Sequence, residues 1–154
     1  MTNKKTMQLN LPPFDMKLSG TRERMKVFDI LRRRYVALTP EEWVRQHFVN
    51  YLINHLGYPA PLLANEVQLT VGEKHLRADT VLFSRDMRPR MIVEYKAPSV
   101  AITPDVFNQI AVYNTLLHVD YLVVSNGIEH YCRRIDYTTG QALPLDHIPT
   151  YDML

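Results

Sequence analysis

Asp79, Glu94 and Lys96 are the residues whose types and spacing could do chemistry. They stand in the segments LRADTVLFS and MIVEYKAPS, with fourteen residues between the two acids. Side chains alternate across a strand, so Glu94 and Lys96 project from one face. Met91, Ile92 and Val93 make the preceding segment apolar, and an apolar strand that ends Glu-Tyr-Lys calls for a function. With Asp79 at the matching height on a neighbouring strand, two carboxylates and one ammonium converge in a single cleft. Such a set suits metal-dependent phosphodiester hydrolysis. Hard oxygen ligands hold Mg²⁺, with Mn²⁺ as a substitute, while a nearby cation positions an attacking water and offsets developing negative charge. The plainer alternative is a surface ion pair, worth at most about 1 kcal/mol.

The elements that must position these residues follow from periodicity and turn signals. Thr39-Pro40-Glu41-Glu42 opens a helix: Thr39 caps, Pro40 suits the first turn, and Glu42 completes a capping box. Val44, Phe48, Tyr51, Leu52 and His55 then recur at helical spacing, and Gly57 stops the run. On that face His55 reads as a core residue. Arg45 and Gln46 are either phosphate contacts or solvent-exposed. Strands are predicted over 66–71, 76–83 and 91–95, separated by turns at 72–74 and 84–90. Pro104 opens a second helix through 118, with Val106, Ile110, Tyr113 and Leu117 on one face. A short apolar strand over 121–125, a turn at Asn126-Gly127 and a last strand over 129–136 complete the pattern.

Three strands joined by short turns make an antiparallel meander, and a helical crossover returns the chain to a parallel fourth strand. The expected fold is mixed α/β (α+β), a central sheet flanked by helices, with its core at 39–137. Ahead of it lies a basic extension, 1–38, in which 21–34 reads as a short helix and 35–38 as extended chain. The tail, 138–154, reads as turn-rich coil.

The 154 residues, 46% hydrophobic and 22% charged, fit one globular domain. The lone Cys132 excludes an internal disulfide, and no Cys/His set has zinc-site spacing. No apolar run approaches the roughly 18 residues of a membrane span, and the polar N-terminus lacks a signal-peptide pattern. The expectation is a cytoplasmic protein with no membrane contact. Charge is unevenly spread: residues 1–38 carry nine Lys/Arg against three acids, the remainder nine against thirteen. A basic arm beside an acidic body suits backbone phosphates; Arg32, Arg33 and Arg34 pointing into water is the simpler account.

The acid, the Glu-Tyr-Lys, a following Gln-x-x-x-Tyr (Gln109, Tyr113) and the element order αβββαβ together resemble the PD-(D/E)xK nuclease superfamily. Within it the chain is most similar to the N-terminal nuclease-like domain of type I restriction enzyme R subunits, through LTPEEWVRQHFVNYLINHLGY, LRADTVLFS, MIVEYKAPS, NQIAVYN and YLVVSNGIEHY. The resemblance implies a restriction-endonuclease-like core and a DNA endonuclease. It makes Asp79, Glu94 and the main-chain carbonyl of Tyr95 the ligands of Mg²⁺, and Lys96 the group that orients water and stabilises charge on phosphate. It adds Gln109 and Tyr113 from the second helix, and Glu41 from the first as a further acid. It also implies DNA as a partner, with a second copy or restriction-system subunits alongside. Ala78 stands where the superfamily's name has proline. No G-x-x-x-x-G-K-[ST] loop occurs, so this stretch of sequence carries no ATP-driven motor. The alternative of another class is a non-catalytic nucleic-acid-binding or assembly module of the same fold.

Overall fold

The computed structural model describes residues 8–154, apart from the side chains of residues 114 and 115. Residues 1–7 of the basic arm, Lys4 and Lys5 among them, lie outside the described residues. The core is a six-stranded mixed sheet. Strands β4 (Leu63–Val71), β5 (Lys74–Phe83) and β6 (Pro89–Tyr95) form the antiparallel meander. Helix α2 (Pro104–Leu117) then crosses over to β7 (Tyr121–Ser125), which pairs parallel to β6. Strands β8 (His130–Asp136) and β9 (Gln141–Leu145) extend the sheet antiparallel.

Helix α1 (Pro40–Asn50) covers one face of the sheet and α2 the other. Val44, Phe48 and Leu52 pack with Met91, Val93, Tyr95 and Val123. Phe107, Ile110 and Tyr113 pack with Val81, Ile92, Leu122 and Val124. Strands β6 and β7 are therefore covered on both faces, which is why they read as apolar runs rather than alternating ones. Alternation on β6 sends Val93 and Tyr95 to the α1 side and leaves Glu94 on the side of Ile92.

Thr39 caps α1 as expected, its hydroxyl accepting from the Glu42 backbone N–H at 3.1 Å. The reciprocal half of the capping box is absent. The Thr39 N–H bonds the Ala37 carbonyl, and the Glu42 carboxylate turns instead to Arg32, Arg45 and Gln46. Beyond Asn50 the helix widens into one π-helical turn, Tyr51–His55. That extra residue per turn rotates the helix end, so Leu52 is buried while His55 is exposed, against its reading as a core residue.

Two segments depart further from expectation. Residues 21–34 hold no helix. Strands β1 (Leu18–Gly20), β2 (Met25–Asp29) and β3 (Arg34–Ala37) make a separate three-stranded antiparallel sheet. The apolar spacing that mimicked a helix is overruled by Asp29. Its carboxylate is wholly buried and accepts the backbone N–H groups of Leu31 (2.7 Å) and Arg32 (3.1 Å). This side chain closes a turn in place of a helical hydrogen bond, and Arg33 completes it at φ 54°. The tail is likewise ordered. Asp136 accepts from the Thr138 N–H, β9 follows, and the buried Ile148 joins the α1-side core, where the Tyr58 hydroxyl donates to the Pro149 carbonyl at 2.9 Å.

Candidate active-site cleft

Asp79 and Glu94 meet where β5 and β6 part. The antiparallel ladder pairs Thr80 with Val93, and the two acids lie one step beyond. The Tyr95 N–H donates to Asp79 Oδ2 at 2.9 Å, so a β6 amide fixes the β5 carboxylate. Both acids line an open cavity of about 280 Å³ with Tyr95 and Lys96 from the same strand end, Thr39, Glu41 and Arg45 from the start of α1, and Glu66 from β4.

The electrostatics of this acid pair are unusual. Burial lifts the Asp79 carboxyl above its ordinary value. Burial, and then the negative charge of Asp79, push Glu94 up to about 8. Glu94 Oε2 is enclosed and has no hydrogen-bond partner among the described residues. Two carboxylates so placed repel unless a proton or a cation sits between them. The Lys96 ammonium makes no ion pair among the described residues, though its charge draws Glu94 downward. These groups fit a divalent cation: hard oxygen donors, mutual repulsion that a cation relieves, and one acceptor left without a partner. Among the described residues, no three His, Cys, Asp or Glu side chains are grouped so as to hold a metal by themselves.

Of two further cleft residues, one escaped sequence reasoning and the other takes a role outside its two expected ones. Glu66 sits inside β4 at φ 56°, and the β4–β5 ladder, which pairs Asn65 with Thr80 and Val67 with Ala78, is interrupted at Glu66 and Asp79. A left-handed non-glycine residue within a strand costs of order 1–3 kcal/mol and collects at functional sites. Here it turns the Glu66 carboxylate to Arg45 (2.7 Å) and to Arg77. Burial alone would raise Glu66, but hydrogen bonds from Arg77 and Arg45 outweigh it and hold the carboxyl below its usual range.

Arg45 is the second. It is neither solvent-exposed nor free to reach phosphate: it is buried, as is Gln46. Its Nε donates to Glu42 Oε2 at 2.7 Å and its Nη1 to the Asp79 main-chain carbonyl at 3.0 Å. One guanidinium thus ties α1 to β4 and β5, with its charge balanced by Glu42 and Glu66. Arg32, also largely buried, extends the chain of ion pairs from Glu42 back to Asp29. A second polar chain fixes the strands beneath the cleft. The Tyr95 hydroxyl donates to Thr80 (2.9 Å), Thr80 to Asn65 (2.6 Å), and Asn65 to Asp29 (2.9 Å).

The remaining expected residues divide. Glu41 is exposed in the cleft wall. Tyr113 is buried behind the acids, its hydroxyl donating to the Arg77 carbonyl at 2.6 Å and pushed up to about 12 by burial, then by the charges of Glu94 and Asp79. Gln109 is exposed on α2 and does not line the cavity. Among the described residues no helix is long and apolar enough to cross a membrane.

Residues 40–149 match the family model of the type I restriction enzyme R protein N terminus. Among solved structures the chain is similar to a fragment assigned as an HsdR subunit of a type I restriction enzyme from Vibrio vulnificus YJ016. The two share 24% identity with a TM-score of 0.52 over 75% of this chain and 24% of that one. The chain thus spans about a quarter of that relative, and a likeness at this identity speaks for the mixed α/β fold. No curated protein matches the chain. The matched stretch opens on the first residue of α1 and runs past β9, taking in every cleft residue except Thr39. This chain therefore belongs to the family of type I restriction enzyme R protein N-terminal domains.

Proposed function

We propose that the protein is a Mg²⁺-dependent DNA endonuclease domain of the PD-(D/E)xK kind, working within a restriction system in the cytoplasm. The observation that carries this reading is the buried pair Asp79 and Glu94, beside the Lys96 ammonium, with a Glu94 oxygen that has no hydrogen-bond partner and an ammonium that makes no ion pair among the described residues. Asp79, Glu94 and the main-chain carbonyl of Tyr95 would hold the ion, and Mn²⁺ would substitute. Such a sparse set suits Mg²⁺, which keeps several waters and takes only one or two carboxylates. When bound, the ion supplies charge neutralisation at the phosphodiester and a more acidic water.

The chain's own groups do the rest. Lys96 orients the attacking water and offsets charge building on the phosphate. Glu41, at the cleft mouth, is a further acid within the same wall. Tyr113 holds β5 through the Arg77 carbonyl, and Gln109 faces the DNA from the exposed side of α2. A second copy or partner subunits would bring the second strand's cleavage. Membership of an R-subunit family supports a nuclease-related role. The non-catalytic alternative draws on the exposed basic residues ahead of α1, and predicts DNA binding that survives loss of Glu94.

Incubation of supercoiled plasmid with the protein and Mg²⁺ or Mn²⁺ tests the reading. Nicking that disappears in EDTA and in Asp79→Ala is expected. Equal cleavage by the wild type and the variant would refute it.

A further inference from the structure

We infer that the outward face of the β1–β3 sheet is the surface that tracks the phosphate backbone of DNA beside the cleft. The inward face is spent on packing: Val27 and Asp29 are fully buried. The outward one carries Lys26 and Phe28 from β2, opposite Ala37 and Tyr35 of β3. Phe28 and Tyr35 meet edge to face with ring centroids 5.3 Å apart, and the Lys17 ammonium lies 5.4 Å from the Phe28 ring centre. Arg22 and Arg24 stand exposed in the β1–β2 turn and Arg33 in the next, while Arg34, exposed at the start of β3, opposes Asp29 and so lies off the outward face.

None of these six basic side chains forms an ion pair among the described residues. The acids on this segment do not cancel them: Asp29 is buried against Arg32 and Asn65, leaving Glu23 as the exposed carboxylate between Lys17 and Ala37. A cation row beside aromatic rings is the pattern that nucleic-acid backbones and bases favour.

The rest of the molecule makes this surface necessary. Residues 39–154 carry more acids than bases, and the cleft itself is walled by Glu41, Glu66, Asp79 and Glu94. Duplex DNA presents about one charge per 1.7 Å, so an acidic cleft repels it unless cations flank the entrance. The basic sheet is in place for that: β3 ends at Ala37, two residues before the cleft residue Thr39. The Arg32–Glu42–Arg45 chain fixes it against α1.

The inference rests on DNA being the polymer that enters the cleft, but its test reads binding and not cleavage. Fluorescence anisotropy with a labelled 30-base-pair duplex in EDTA, across a salt series, would compare the wild type with Lys17→Gln/Lys26→Gln/Arg33→Gln. Each lost phosphate contact shallows the slope of log K against log salt by about 0.9, so a change of roughly 2–3 is expected, with affinity about a hundredfold weaker at 0.1 M salt. Arg85→Gln/Arg88→Gln, in the exposed turn at the far end of β6, should leave the slope in place. All these side chains are exposed, so unfolding does not obscure the result. A triple variant with the wild-type slope would overturn the inference, as would an equal change in the control. Retained duplex binding with loss of binding to polyglutamate would assign the face to an acidic protein and overturn it too.

Discussion

In ion-free solution Glu94 keeps its proton up to about pH 8, against an ordinary value of 4.5. At pH 7 the folded chain therefore holds a proton that the unfolded chain has released. The favourable contribution to folding is present in full below pH 4.5 and is lost as pH climbs toward 8. Each pH unit in that window is worth about 1.36 kcal/mol, and pH 7 lies about 2.5 units above 4.5, so the loss at pH 7 is about 3 kcal/mol. Glu94→Gln keeps the shape and removes the titration. Allowing for the lost attraction of Lys96, the variant should be more stable than the wild type by about 2–3 kcal/mol at pH 7. In a domain of this size that is a rise of roughly 4–12 °C in Tm. Thermal melts in EDTA at pH 4.5, 7 and 8.5 would measure it: little difference at the lowest pH, a growing one above. Adding Mg²⁺ should close the gap by stabilising the wild type alone. A gain independent of pH, or a variant less stable than the wild type, would refute the reasoning.

Lys96→Ala should lower the cleavage rate about a hundredfold or more, while Mn²⁺ titration shows affinity unchanged or raised, because a repelling cation has gone. Arg45→Ala leaves Glu42 and Glu66 without their shared partner and should cost about 3–5 kcal/mol in urea unfolding, with Arg45→Lys a poor rescue because an ammonium lacks the guanidinium's fork. Burial would raise the Asp29 carboxyl, but hydrogen bonds from Asn65 and Arg32 hold it below its ordinary 3.8. Its stabilisation is therefore present above pH 3.8 and lost as pH falls below it. Asp29→Asn should cost about 3 kcal/mol at neutral pH, and acid unfolding curves of the two proteins should converge below pH 3.8.

Much of the core was legible because its signals are local. Strands β5 to β8 and helix α2 are bounded by Gly72, Asn126-Gly127 and Pro104, and their apolar spacing is long enough to separate a period of two from one of 3.6. Asp79 and Glu94 lie side by side because β5 and β6 are consecutive antiparallel strands whose ladder pairs Thr80 with Val93, and Lys96 lines the same cleft two residues on. The β1–β3 sheet was hidden because its strands span three to five residues, and because Met25, Phe28 and Leu31 happen to fall at helical spacing. What replaced a helix there is one buried carboxylate, Asp29, whose partner Asn65 lies 36 residues away. Glu66 was invisible for a related reason. In an alternating strand it reads as a solvent-side residue, and only its left-handed backbone turns it into the cleft. Arg45 finds its partners 21 and 34 residues downstream, beyond the reach of any helical period.

The proposed chemistry requires Asp79 and Glu94 to share one cation. Calorimetric titration of Mn²⁺ into the wild type, Asp79→Ala and Glu94→Gln at pH 8 tests this most directly. One binding event in the wild type, lost in both variants while each remains folded, is the predicted result. Binding of equal strength in all three would contradict it.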